Sequence, residues 1–251
     1  MLLTEDHVDL ETPSGTMRTY RFQPADEGRY PGLALWSEIY QVTGPIQRVA
    51  RALAGEGFIV AAPEVYHEFE PPGSPFQYDK PDTDKGNKYK IEKEVKGFDH
   101  DARAVLDHLK ALPRCSGRLG SIGLCLGGHL SFRCGFNPDV LATACFYATD
   151  IHSHTLGKGK ADDTLARCGD IQGELLLIWG RQDPHIPLEG RRAIYDALCE
   201  KDVNFTWHEF NAQHAFMRDE GYRYNPALGR LGMGLTLETF QRVLQAGAQG
   251  A

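Results

Sequence analysis

The chain has 251 residues, 41% of them hydrophobic and 24% charged, with a formal net charge of −7. Such a chain can bury a sizeable core as an ordinary globular protein, and its acidic excess disfavours nucleic acid or an anionic membrane surface as a partner. No apolar run approaches the roughly 20 residues that span a bilayer, and the start, MLLTEDHVDLETP, lacks the basic-then-apolar pattern of a secretion signal.

In chain order, VDLETPSGTMRTYRFQP predicts an antiparallel hairpin turning at Pro13-Ser14-Gly15. YPGLALWSEIY predicts a buried strand ending near Ser37-Glu38. GPIQRVARALAGEGF carries Ile46, Val49, Ala50, Leu53 and Ala54 at helical spacing, with Gly57 to close it, and FIVAAPE follows as a short strand. Residues 64–87, rich in Pro and Gly, predict a long irregular loop, often a functional feature in a compact domain. The charged segment from Lys88 to Leu112 reads as helical, with an apolar face of Phe98, Ala102, Val105, Leu106 and Leu109. RLGSIGL is the next strand, LSFRCGF continues a helix, and VLATACFYA is another buried strand. After a loop over Thr149–Gly173 come the strand ELLLIWG, the helix RRAIYDALCEKD, the strand VNFTWHEF, and a C-terminal helix over Leu235–Gln245. This alternation predicts an α/β fold with a mostly parallel sheet, helices on both faces and the antiparallel hairpin at its start. With no internal repeat and no linker, a single domain over residues 1–251 is the expected organisation. The six cysteines contain no C-x-x-C pair and read as reduced thiols of a cytoplasmic protein, several of them small buried hydrophobes.

Gly123-Leu124-Cys125-Leu126-Gly127 places a cysteine between two glycines where a strand turns abruptly into a helix. This is the spacing of a nucleophile elbow, in which side chains at the glycine positions would collide with neighbouring elements. A buried cysteine beside a glycine-rich turn is the alternative. Asp183, in Gly180-Arg181-Gln182-Asp183, and His214, in Gln213-His214, each lie just past a predicted strand. A loop aspartate alone is usually a cap, and a loop histidine alone is usually bland. Here the order nucleophile, acid, histidine is the one this elbow's fold requires, and all three fall at the carboxyl ends of strands, where open α/β sheets bind ligands.

These residues, with His214-Ala215-Phe216-Met217-Arg218 and Glu38 in Trp36-Ser37-Glu38-Ile39-Tyr40, give a chain that resembles the dienelactone hydrolase family of the α/β-hydrolase fold over its whole length. The resemblance implies a Cys125-His214-Asp183 triad that cleaves small carboxylic esters or lactones through a thioester, without a cofactor. It implies an oxyanion hole from the N–H groups of Leu126 and Ile39, and a Glu38 that keeps the thiol quiet until substrate arrives; pairing of Glu38 with a nearby cation is the alternative. Arg218 is expected to grip a substrate carboxylate, with a structural ion pair as its alternative. Lys85 is the expected second basic residue, standing where the family has arginine. A lysine there orients a carboxylate less strictly, so the substrate need not be dienelactone itself, and a related small anionic lactone or ester fits equally well. Tyr66 and Phe76 are candidate pocket walls, or ordinary packing.

Asp150-Ile151-His152-Ser153-His154 resembles a metal cluster only weakly, so no metal is expected. Gly127-Gly128 lacks the remaining glycines of a phosphate loop. The expected assembly is a monomer or small homo-oligomer. A general carboxylesterase or thioesterase on the same triad is the competing enzyme reading. A non-catalytic binding module is the reading outside enzymes, against which the intact Cys125, His214 and Asp183 speak.

Overall fold

The computed structural model describes residues 1–245, the side chain of Lys160 excepted. Strands β1 (Leu3–Thr12) and β2 (Gly15–Pro24) form the N-terminal hairpin, in register from Leu3 opposite Pro24 to Thr12 opposite Gly15. The sheet continues through β3 (Tyr30–Trp36), β4 (Ile59–Pro63), β5 (Cys115–Leu124), β6 (Val140–Phe146), β7 (Glu174–Gly180) and β8 (Phe205–Phe210). Its spatial order is β1-β2-β4-β3-β5-β6-β7-β8, antiparallel where β2 meets β1 and β4 and parallel from β4 onward.

Helices cover the sheet on both faces, which is why β3 and β7 are buried at every residue but the first. Successive residues of β3 serve opposite faces. Leu33 and Leu35 join Ile46 and Leu53 of α1 (Gly44–Gly55), while Ala34 and Trp36 join the far layer. That far layer comes from α3 (Val95–Ala111), which buries Phe98, Val105, Leu106 and Leu109 after the shorter α2 (Lys80–Glu92). Next come α4 (Leu126–Cys134), α5 (Leu188–Glu200) and α6 (Pro226–Phe240); Phe240 of α6 meets Phe58 edge-on on the α1 side. Fold class and layering therefore follow the sequence expectation.

Three local expectations change. The charged helix from Lys88 to Leu112 is two helices, broken where Lys93 takes an extended backbone (φ −69°, ψ 139°). Its ammonium is fully buried on Asp101 (2.7 Å), Glu68 (2.8 Å) and the Val65 carbonyl (3.0 Å), and this tertiary cluster overrides helical continuity. The loop over 64–87 ends early, because the Asp79 side chain accepts from the Asp82 N–H and Pro81 sits in the first turn of α2. The C-terminal helix begins nine residues sooner than Leu235, where Asn225 caps the Leu228 N–H ahead of Pro226, and α6 gives way after Phe240 to a wider turn over Gln241–Gln245. Among the described residues no helix is long and apolar enough to cross a membrane.

Candidate active site

The turn from β5 into α4 is dictated by sterics. A Cβ on Gly123 would lie 1.8 Å from the Gly127 carbonyl oxygen, and one on Gly127 would lie 2.0 Å from the Trp36 oxygen. Only glycine lets strand, helix and β3 approach this closely. Between them Cys125 holds φ 60° and ψ −120°, a backbone that L-residues rarely adopt and that costs about 1–3 kcal/mol. The residue is 9% exposed and faces a cavity of about 510 Å³ at the carboxyl edge of the sheet.

Asp183 follows β7 and His214 follows β8, in loops tied together by backbone bonds from Arg181 to Phe210 (2.8 Å) and from Gln182 to Ala212 (2.9 Å). The His214 Nδ1 lies 2.7 Å from Asp183 Oδ2, and the other carboxylate oxygen accepts the His185 N–H at 2.8 Å. Both side chains are buried, and the edge of Tyr147 packs on the His214 ring with centroids 5.0 Å apart. Burial pushes the His214 imidazole down, but the nearby Cys125 sulfur and the bond to Asp183 outweigh it and raise its pKa to about 10. This arrangement can take a proton from a thiol and hold the resulting cation in place.

Two backbone N–H groups near the elbow have no acceptor among the described residues. Leu126 is the first residue of α4, so its N–H has no intrahelical partner, and the Cys125 N–H is already committed to the Phe146 carbonyl (3.0 Å). The Ile39 N–H likewise has no acceptor among the described residues, and its loop is pressed by α2: a Cβ on Gly86 would sit 2.4 Å from the Ile39 oxygen. Glu38 precedes it and is 2% exposed. Burial raises the Glu38 pKa, while the charges of Arg218, His214 and Arg223 oppose that rise. Its nearest cation is Arg218, at 3.5 Å without hydrogen-bond alignment. The Arg218 guanidinium lies over Tyr78, 4.3 Å from the ring centre. Cys125, Glu38, Ile39, His214 and Arg218 all line the cavity.

The other expected residues lie elsewhere. Lys85 is absent from the cavity lining; its ammonium is 3.0 Å from Glu70 and stands over the Phe76 ring at 4.2 Å. It faces away because α2 turns the cavity side over to Lys80, Thr83, Asn87 and Lys90, one helical stripe. Tyr66 is fully buried with its hydroxyl on the Gly86 carbonyl (2.9 Å), stacked on Phe76, so both support α2 from behind instead of forming the wall. Asp150, part of the weak metal pattern, is held by Lys90 at 2.8 and 3.0 Å and by Thr155 at 2.9 Å. Among the described residues no group of three His, Cys, Asp or Glu side chains has the arrangement of a metal site.

Several cavity residues escaped the sequence reading. Lys90 and Arg223 line it, as do Tyr40, Tyr78 and His185. Tyr147, fully buried behind His214 with a hydroxyl that has no partner among the described residues, follows β6 directly. The strand-end rule that picked out Asp183 and His214 would have found Tyr147 as well. Nothing local marks Lys90 or Arg223 among so many charged neighbours.

Comparison with known proteins gives the family. The family model described as "Dienelactone hydrolase family" matches residues 17–244. A Saccharomyces cerevisiae protein named "Putative carboxymethylenebutenolidase" is 42% identical over 98% of this chain and 94% of its own length. The Pseudomonas sp. (strain P51) protein named "Carboxymethylenebutenolidase" is 25% identical over 99% of this chain and 100% of its own. A Klebsiella pneumoniae crystal structure titled as a "Putative Dienelactone Hydrolase" superposes with a TM-score of 0.81 at 22% identity, over 96% of this chain and 100% of that one, and so shares the fold. Matched over nearly its full length by that family and by these relatives, the chain belongs to the dienelactone hydrolase family, hydrolases of esters and lactones.

Proposed function

We propose that the chain, acting as a single α/β domain, is a cysteine-dependent hydrolase of small anionic lactones or esters, with Cys125 as nucleophile, His214 as base and Asp183 as the group that orients His214. The observation that carries this reading is the strained Cys125 backbone at the elbow, facing a histidine whose Nδ1 is held 2.7 Å from a buried carboxylate. With Nδ1–H given to Asp183, Nε2 is free to accept the thiol proton. The thiolate adds to the ester carbonyl, and the oxyanion takes the N–H groups of Leu126 and Ile39, each such donor being worth about 10²–10³ in rate. The tetrahedral adduct collapses to a thioester as the C–O bond to the alcohol breaks, and the leaving oxygen takes the proton from His214. In a lactone that alcohol stays tethered to the acyl group. Water then gives a proton to His214 and attacks the thioester carbonyl. The second collapse releases the acid and returns the proton to the sulfur.

Glu38 supports a gate on this cycle. Its buried carboxylate sits in the same cavity as the thiol, where a like charge opposes the thiolate, and Arg218 is its present counter-ion. The negative charge of a substrate entering the same cavity would change that balance at the moment of binding. The six cysteines, none bonded to another, support a reducing, cytoplasmic setting.

Hydrolysis of cis- and trans-dienelactone beside p-nitrophenyl acetate, for wild type and Cys125→Ser, tests the reading. Dienelactone turnover that is lost in the variant is the expected result. Turnover of the neutral ester alone keeps the thiol mechanism and removes the anionic lactone in favour of a general esterase or thioesterase. Undiminished turnover in Cys125→Ser overturns the mechanism.

A further inference from the structure

Four lysine and arginine side chains line the cavity, and their partners separate them. Lys80 is an exposed side chain bonded to Asp84. Lys90 is gripped by both oxygens of Asp150 at 2.8 and 3.0 Å. Arg218 stands 3.5 Å from Glu38 and spends its Nε on the Glu220 carbonyl at 3.1 Å. Arg223 pairs with no carboxylate among the described residues; its one hydrogen bond runs from Nε to the Tyr222 hydroxyl at 3.1 Å, leaving both terminal nitrogens free. Its charge acts on both Glu38 and His185, which line the same cavity as Cys125.

The segment that carries Arg223 is held in place over the site. Arg48 of α1 bonds Asp219 (2.8 Å) and Glu220 (2.9 Å) at its start, and Asn225 at its end donates its N–H to the Phe216 carbonyl (3.0 Å) while capping α6. The tethers commit the acidic residues of the strap to α1 and leave its arginine at the cavity.

We infer that Arg223 is a specificity-determining residue: its free guanidinium receives the carboxylate of an anionic substrate whose scissile carbonyl lies at Cys125, the place that Lys85 was expected to fill. This rests on the hydrolase reading above and deepens it. A planar guanidinium with two unengaged nitrogens suits a carboxylate bidentately, whereas Lys90 and Arg218 must first release a carboxylate of the protein.

The test is a pair of activated esters of matched length, p-nitrophenyl hemiglutarate (anionic) and p-nitrophenyl valerate (neutral), read as the ratio of their kcat/KM values for wild type, Arg223→Gln, Arg223→Lys and Arg223→Glu. Loss of one charge-assisted contact predicts that the anionic-to-neutral ratio falls roughly 10- to 100-fold in Arg223→Gln, mostly through KM, with a smaller fall in Arg223→Lys and a larger one in Arg223→Glu. Dividing by the neutral ester in each variant removes any common loss from altered folding. A wild type without preference for the anionic ester, or a preference unchanged by Arg223→Gln, overturns the subsite while leaving the hydrolase intact. No turnover of either ester by wild type overturns the hydrolase reading and the subsite with it.

Discussion

Asp183→Asn separates orientation from shape. The carboxylate has two buried acceptors in use, Oδ2 on His214 (2.7 Å) and Oδ1 on the His185 N–H (2.8 Å). Asparagine keeps the outline but offers one oxygen and one NH₂. If its oxygen faces His214, the NH₂ opposes the His185 N–H, two donors head-on in a buried site. If its oxygen stays on His185, the NH₂ points at His214 Nδ1 and drives the imidazole proton to Nε2, the nitrogen that has to accept the thiol proton. The second orientation satisfies more hydrogen bonds, so the wrong tautomer dominates. The imidazolium formed in each transfer also loses its counter-charge. Unpairing a buried charge pair costs about 3–5 kcal/mol, and at 1.36 kcal/mol per decade the lower part of that range corresponds to a kcat loss of roughly 10²–10³. Steady-state hydrolysis of p-nitrophenyl acetate measures it, with far-UV circular dichroism to verify the fold. A variant within about threefold of wild type would refute the tautomer argument.

Two other outcomes are expected. Removing the sulfur in Cys125→Ala takes away the largest influence raising the His214 pKa, while burial still lowers it, so His214 titrates well below wild type by NMR; an unchanged titration would mean that the thiol and imidazole do not interact. Glu38→Gln removes a negative charge from the thiol's cavity, so the pH profile of Cys125 alkylation by iodoacetamide moves to lower pH; a profile that stays put would leave Glu38 as no more than a counter-ion for Arg218.

Much of this site was legible before any coordinates. The elbow is local: Gly123, Cys125 and Gly127 lie within one turn, and their collisions follow from chain sterics. Asp183 and His214 were found because strands announce themselves by apolar runs and parallel sheets gather strand ends on one edge. The apolar stripe Phe98-Ala102-Val105-Leu106-Leu109 is buried as its period required. Lys85 went wrong for a different reason. Along a helix a few residues change the facing direction completely, and the rotation of α2 depends on Gly86 meeting the Ile39 loop and on Tyr66 and Phe76 behind it.

The chain by itself therefore determined the sheet, its helical layers, the family and the residues at the strand ends, since each of these rests on periodicity or on sterics within a few residues. Tertiary structure alone decided which charges the cavity holds. Lys90 is committed to Asp150, Arg218 to Glu38, and Arg48 to the acids of the strap, three pairings between segments far apart in sequence. Among the described residues these carboxylates are paired elsewhere and Arg223 has none, an arrangement that no local pattern encodes because it is set by long-range pairing.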